Sequence, residues 1–167
     1  MRRRQAAAGS IAFFLAGPGL EAGVGPWLLV RVAGSDLGSW PLALRILGAL
    51  LIAAGAAVLL DVFARFVADG AGTPSPAAPT RRLLVRGAFR HLRHPMYVAT
   101  AAAIAGEALA FAQPILLLAA AVYLTAMAAL VQAVEEPRLA RRFGAEYDAY
   151  RRAVPGWIPR VRPWDKG

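Results

Sequence analysis

The sequence predicts an all-α fold: a multi-pass transmembrane helical bundle of about four spans, followed by a C-terminal amphipathic helix at the membrane interface. Three observations lead there. Apolar residues make up 58% of the 167-residue chain and charged residues 17%, against about 45–50% and about 25% in soluble domains. The apolar residues gather into runs long enough to cross a bilayer. The basic residues fall mostly at alternate ends of those runs, as the positive-inside rule requires of a spanning protein.

The first segment, residues 11–32, follows Arg2, Arg3 and Arg4 and is interrupted by Gly17-Pro18-Gly19, Glu21 and Gly25-Pro26. These residues predict a kinked or broken helix, because proline removes a backbone donor. A cleaved signal peptide is the competing reading of a basic start before a short apolar stretch. The run continues through Trp27-Leu28-Leu29-Val30, longer than a signal core needs, and Trp27 suits a membrane interface. Residues 42–60 are broken only by Arg45, 96–112 only by Glu107, and 115–134 only by Gln132. At 1.5 Å per residue each gives roughly 26–30 Å of helix, close to the thickness of a bilayer core.

Residues 69–76 are rich in Gly and Pro and predict a surface loop. Gln113-Pro114 joins the third and fourth spans as an antiparallel hairpin. Beyond Pro137, Leu139, Phe143, Tyr147, Tyr150 and Val154 recur at helical spacing, with Arg138, Arg141, Arg142, Asp148 and Arg152 on other faces. That pattern predicts one amphipathic helix on the membrane surface, ended by Pro155 and Gly156. The tyrosines are expected to bury in the interface, with a lid over a ligand as the lesser alternative. No internal repeat and no long polar tract interrupts the chain, so residues 1–167 read as one domain.

If four spans alternate, seventeen of the nineteen basic residues lie on one side. That side is the cytoplasm, with both termini there and the inner membrane of the cell as the expected location. The formal charge of +9 is spread between apolar spans, which favours anionic headgroups over nucleic acid as the counter-charge. The chain has no cysteine, which excludes disulfides, thiolate metal sites and a cysteine nucleophile. No motif specifies an oligomeric state.

Polar groups cluster at two places on the cytoplasmic side. One is Arg90-His91-Leu92-Arg93-His94-Pro95-Met96-Tyr97, where the third span begins, and the other is Glu135-Glu136, where the fourth ends. The hairpin sets the first residues of one helix beside the last of its partner, so His94 and Tyr97 should lie near Glu135 and Glu136. On residue types alone this is equally well a snorkelling anchor. The two histidines have no third to complete a usual ligand set, so no metal is expected. Asp61 and Arg65, four apart, read as a local ion pair.

The stretch Gly87-Ala88-Phe89-Arg90-His91-Leu92-Arg93-His94-Pro95-Met96-Tyr97 is followed by Glu135-Glu136-Pro137-Arg138-Leu139, by Phe143-Gly144-Ala145-Glu146-Tyr147 and by Val154-Pro155-Gly156-Trp157-Ile158-Pro159. In order and spacing these resemble the isoprenylcysteine carboxyl methyltransferase and phospholipid methyltransferase families of integral membrane enzymes, over about residues 80–159. The resemblance implies S-adenosylmethionine as cofactor and a membrane lipid or lipid-anchored acceptor. It implies cofactor contacts at Arg82, Leu83, Leu84, Phe89, His94, Pro95, Met96, Tyr97 and Glu135. Three positions depart from the pattern. Phe89 stands where the family often has Tyr, Ala99 replaces a common Gly, and Val131 sits where the prenylcysteine enzymes place an Arg that handles substrate.

These residue types suit methyl transfer. The cofactor arrives activated, so the protein mainly aligns reactants in a dry site. A carboxylate or aromatic face favours a sulfonium, which Glu135, Tyr97 and Phe89 offer; Glu135 can equally accept from ribose hydroxyls. The start of the third span beside Arg93 and His94 suits the cofactor's carboxylate. A carboxylate acceptor attacks as it stands, whereas an ammonium must first lose a proton. Glu136, then His91, then Glu107 are the candidate bases, Glu107 being equally readable as an interhelical hydrogen-bonding group. Two alternatives stand beside this reading. Membrane sterol reductases share an Arg-His-Pro-x-Tyr segment and use a nicotinamide cofactor, although Met96 stands where they typically have Asn. A non-catalytic membrane scaffold is the other.

Overall fold

A computed structural model describes residues 11–12, 14–34, 38–68 and 83–165. Arg2, Arg3, Arg4, the loop at 69–76 and Arg82 lie outside the described residues. Within them every regular element is helical. A π-helical stretch, Leu15–Val24, runs into α1 (Gly25–Ala33), and α2 spans Leu42–Ala68. A single 3-10 turn, Gly87–Arg90, precedes α3 (Pro95–Ala110). Helix α4 (Ile115–Leu130) passes through a second π-helical stretch, Val131–Glu135, into α5 (Glu136–Phe143), and α6 (Ala145–Ala153) follows.

The first segment is not broken at its Gly-Pro pairs. Pro18 lies buried inside the π-helical stretch, and the Gly25 N–H bonds the Leu20 carbonyl, five residues back. A π register absorbs the missing proline donor without ending the helix. The segment follows the long axis of the bundle. Phe14 meets Phe63 edge-to-face at 4.9 Å, while Ala22, Leu29 and Val30 pack on the Ile104, Ala108, Leu116 and Ala120 cluster toward the hairpin turn.

Two helices, Leu42–Phe66 and Ile115–Phe143, are long and apolar enough to cross a membrane, and only 28% and 17% of their most apolar windows are buried. A helix at the core of a soluble protein would be mostly buried. Instead Leu47, Leu50, Leu60, Leu118 and Val122 point outward, an apolar surface suited to lipid.

Helix α3 is shorter than the expected 96–112. Ala112 takes a φ of 53° and the Gln113 N–H returns to the Ala108 carbonyl at 2.9 Å, a left-handed cap that closes the hairpin. Its 16 residues give about 24 Å, and it is the most enclosed helix of the bundle. Small residues let α2 approach it. A Cβ on Gly106 would sit 2.7 Å from the Gly48 carbonyl oxygen, and one on Gly55 would sit 2.7 Å from that of Ala99. Such backbone-to-backbone seams are how helices associate where lipid leaves little hydrophobic drive.

The C-terminal part corrects two expectations. The single amphipathic helix is two helices, parted at Gly144, whose φ of 50° and ψ of −128° suit a residue without a Cβ. Its apolar face also meets protein. Tyr147, Tyr150 and Val154 are at most 3% exposed and pack with Leu83, Val85, Leu139, Phe143 and Trp164. The periodicity is that of a buried face, and the surface it covers is the loop leading into α3.

Candidate active site at the open end of the hairpin

Two local features aim the polar clusters at each other. At the start of α3, Pro95 occupies the first helical turn, where its missing N–H costs nothing. The preceding loop is clamped by the tail, with the Arg93 N–H donating to the Pro155 carbonyl at 2.9 Å and the His94 N–H to that of Gly156 at 3.3 Å. The Arg160 N–H adds a bond to the His91 carbonyl at 3.0 Å, and the Trp164 N–H one to the Arg90 carbonyl at 2.9 Å. At the end of α4, Pro137 has no N–H to give the carbonyl four residues back, and the chain widens into a π turn in which Glu136 N–H bonds Val131 O. Such turns recur at functional sites. Consecutive residues of an ideal α-helix point about 100° apart, yet Glu135 and Glu136 both reach His94, at 3.8 Å and 3.3 Å.

The Tyr97 hydroxyl donates to Glu135 Oε2 at 2.9 Å. Arg93 Nη1 pairs with Glu136 Oε1 and lies 3.3 Å from the Tyr147 hydroxyl, while Arg151 Nε stands 3.9 Å from Glu136 Oε2. The two carboxylates therefore differ. Glu136, with a side chain 13% exposed, is enclosed by two arginines and an imidazole. Glu135, 38% exposed, meets, among the described residues, a neutral phenol and that same imidazole, and keeps accepting capacity on an open side.

Burial holds His94 below its ordinary pKa of 6.5, and Arg93 acts in the same direction, against the pull of Glu135 and Glu136. The ring is thus neutral at physiological pH, with a single N–H to share between its two carboxylate neighbours. Burial also pushes Tyr147 upward, reinforced by the Glu136 carboxylate, so its phenol stays protonated.

Over these groups lies Trp157, 5.1 Å from His94 and tilted by 30°, and 6.5 Å from Tyr97 at 28°. Sequence reasoning gave Trp157 no role. The available signal was its place in the Val154–Pro159 motif, but nothing local to the motif says that it folds back over α3. Tyr150 was likewise read as interfacial, whereas its hydroxyl donates to the Phe89 carbonyl at 2.7 Å.

Of the described residues singled out in the sequence, Arg93, His94, Tyr97, Glu135 and Glu136 converge, and the others do not. His91 turns away: its Nδ1 lies 2.9 Å from the Arg160 carbonyl oxygen. Its ring lines an apolar cavity of about 350 Å³ with Val58, Ala88, Pro95, Val98 and Ala102, on the side of α3 opposite Tyr97. Met96 packs against Leu59, Phe63 and Ala99. Phe89 meets Phe66 edge-to-face at 6.1 Å, Leu83 belongs to the tyrosine cluster under α6, and Leu84 is half-buried in the loop between them. Glu107 lies about 15 Å further along α3 than Tyr97. The expected Asp61–Arg65 pair is present, with Arg65 Nε 2.8 Å from Asp61 Oδ2. It does more than bridge one helical turn, because Asp61 also accepts from the Ala88 backbone and so anchors the turn before α3. Among the described residues, no group of three His, Asp or Glu side chains is arranged to hold a metal ion.

A family model described as phospholipid methyltransferase matches residues 43–146, from the start of α2 into α6. No curated protein and no solved structure matches the chain at a significant level.

Proposed function

Since the chain belongs to the phospholipid methyltransferase family, we propose that it transfers a methyl group from S-adenosylmethionine to a membrane-embedded, lipid-like acceptor, a carboxylate or an amine, at the cytoplasmic end of the bundle. The observation that carries this reading is the Tyr97–Glu135 contact at 2.9 Å. It joins the starts and ends of neighbouring helices into one site with an open carboxylate, stacked aromatic rings and an uncapped helix N-terminus.

The residues fit the cofactor. Glu135 retains lone pairs on its open side for ribose hydroxyls or a positive charge, and the rings of Tyr97 and Trp157 offer π faces to a sulfonium. His94 makes no side-chain cap bond at the start of α3, which leaves the first backbone N–H groups of that helix free for a carboxylate. When bound, the cofactor supplies a methyl group already activated for in-line displacement. The protein's own share is alignment and exclusion of water. Glu136 and Arg93 satisfy one another, so in this reading they are positioning residues that hold His94 and the loop, and neither acts as a free base. In this reading His91, in the loop before α3 and held at the Arg160 carbonyl oxygen, takes no part.

Two further points bear on the acceptor and the topology. Val131 is fully buried, so no cation is offered there to a prenylcysteine carboxylate. Family membership also favours methyl transfer over a nicotinamide-dependent reduction. We read the chain as a single domain with four spans, both termini cytoplasmic, in the inner membrane. Contacts of the first segment at both ends of the bundle support the fourth span, and the distribution of arginines supports the orientation.

Incubating the purified protein in liposomes of host lipids with radiolabelled S-adenosylmethionine tests the reading. Label should enter the organic phase. Cofactor binding without any lipid labelling would mean a non-catalytic member of the family.

A further inference from the structure

Small residues let two helices approach closely, and beside such a seam they leave a furrow that no side chain fills. One runs along a flank of α2 and α3. Ala54, Gly55 and Val58 of α2 and Val98, Ala99 and Ala102 of α3 line an apolar cavity of about 350 Å³, within the size range of ligand sites, about 300–1,000 Å³. Ala54 is exposed, and Val58, Val98 and Ala102 are half-buried, so the cavity opens outward on the lipid-facing flank of the bundle. It lies across α3 from Tyr97 and is separate from the methyl-transfer site.

The mouth of this cavity is polar. His91 and Pro159 complete the lining there. A carbonyl can only accept, so the 2.9 Å contact between His91 Nδ1 and the Arg160 carbonyl oxygen places the proton of the neutral ring on Nδ1. That leaves a lone pair on Nε2, which meets no partner among the described residues. The ion pairs beside the mouth are balanced, Arg65 with Asp61 and Arg90 with Asp165. Arg160 instead donates from Nη1 to the Ala153 carbonyl and Arg162 is exposed, and neither meets a carboxylate among the described residues. Arg162 stands three residues beyond Pro159, at most about 11 Å of chain. Ile158 and Val161 of the same loop are 78% and 95% exposed, an arrangement of apolar side chains beside arginines that suits the boundary between acyl chains and headgroups.

We propose that this cavity binds one acyl chain of an anionic phospholipid whose headgroup carries a hydroxyl, as phosphatidylglycerol does. The chain lies against α2 and α3, the phosphate meets Arg160 and Arg162, and the headgroup hydroxyl donates to His91 Nε2. From Pro95 to Ala102 the groove follows α3 for about 10 Å, along the direction that a bilayer chain already takes. A zwitterionic lipid keeps the chain contact but sets its own cation against two arginines. The bound lipid joins α2 and α3 to the tail that carries Trp157. The proposal does not rest on the methyl-transfer reading.

The plain alternative is a crevice that any bilayer lipid fills. Native mass spectrometry of the full-length protein in a neutral detergent separates the two. The titrants are phosphatidylglycerol, phosphatidylcholine and phosphatidylmethanol with the same acyl chains, the last having the charge of the first without its hydroxyls. The expected result is one phosphatidylglycerol held with a Kd at least about 10-fold below that of phosphatidylcholine, the low end for a charged hydrogen bond, and with phosphatidylmethanol between them. Arg162→Gln should narrow the gap between phosphatidylglycerol and phosphatidylcholine, and Ala102→Phe, which fills the groove, should weaken phosphatidylglycerol at least about 10-fold. Equal Kd values for phosphatidylglycerol and either other lipid, or a wild-type Kd in Ala102→Phe, overturn the proposal. Should Ala102→Phe lose its helical circular dichroism, Ala54→Phe, which enters the same groove from its exposed side, is judged by the same criterion. No cofactor enters the measurement, so either outcome leaves the methyl-transfer reading standing.

Discussion

Helix α3 is held in two different ways on its two sides. Toward α2 it is held by what is missing: Gly48 and Gly55 meet Ala99, Ala103 and Gly106 across a seam in which backbone nearly touches backbone, and no charge is involved. Toward the end of α4 it is held by polar groups, with Arg93, His94 and Tyr97 each engaging Glu135 or Glu136. The difference separates two tasks. The seam fixes where α3 stands without using a single polar side chain, which leaves the polar groups of its first turn free to serve a site.

That division can be broken from either side, and the larger effect is expected at the polar end. Glu135→Ala removes an open carboxylate while leaving the enclosed Arg93–Glu136 pair and the seam intact. A charged hydrogen bond contributes roughly 1.5–3 kcal/mol, so cofactor affinity should fall about 10–100-fold with little change in the unfolding midpoint. Calorimetric titration and thermal unfolding in detergent check both halves. Unchanged affinity would remove Glu135 from the site.

At the seam the balance reverses. Gly106→Ala adds one methyl group where the Gly48 carbonyl oxygen would be 2.7 Å away and Ile52 Cγ1 2.9 Å away. Alanine's better helix propensity favours the variant by about 1 kcal/mol. Overpacking costs typically 1–3 kcal/mol, and here the obstacle is backbone, which cannot rotate aside, so the cost wins. The unfolding midpoint should drop, while the protein that remains folded binds cofactor normally. A midpoint at or above that of the wild type would show that the helices separate without penalty.

The sequence made some of this legible and hid the rest for physical reasons. Hydropathy and the placement of arginines point to the helices, and the short Gln113-Pro114 turn brings Tyr97 to Glu135 because a hairpin admits no other register. The two π turns were hidden. Pro18 and Pro137 signal disruption, but whether a helix kinks, ends or widens depends on packing that no local pattern contains. The tail was hidden for a similar reason. Its 3.6-residue periodicity states that one face is buried and does not say by what, so the tyrosines of α6 read as interfacial and Trp157 carries no signal of its own. His91 and Met96 belong to the same motif but lie apart from Tyr97 and Glu135, because adjacency within a motif is not adjacency in space. At a helix start, His94 and Tyr97 lie three apart on one face, while Pro95 and Met96 point toward α2.

The smallest effect expected is a pH dependence that belongs to the polar end alone. His94 is 4% exposed, and burial holds its pKa below the ordinary 6.5 despite Glu135 and Glu136 on either side. In the unfolded chain the imidazole takes up a proton near its ordinary value, whereas in the folded chain it does so only at lower pH. Between those two points the unfolded state binds more protons, so stability rises with pH there. The unfolding midpoint should therefore be level above about pH 7, close to the range where an unperturbed histidine is already neutral, and should decline as the pH falls through 6.5 toward the folded-state pKa. His94→Gln, which cannot take up that proton, should flatten this part of the curve. A midpoint that instead climbs as the pH falls toward 6 would mean that the two carboxylates outweigh burial and that His94 is a cation in the folded protein. The site would then hold a buried charge cluster of the opposite balance, one far less suited to a positively charged ligand.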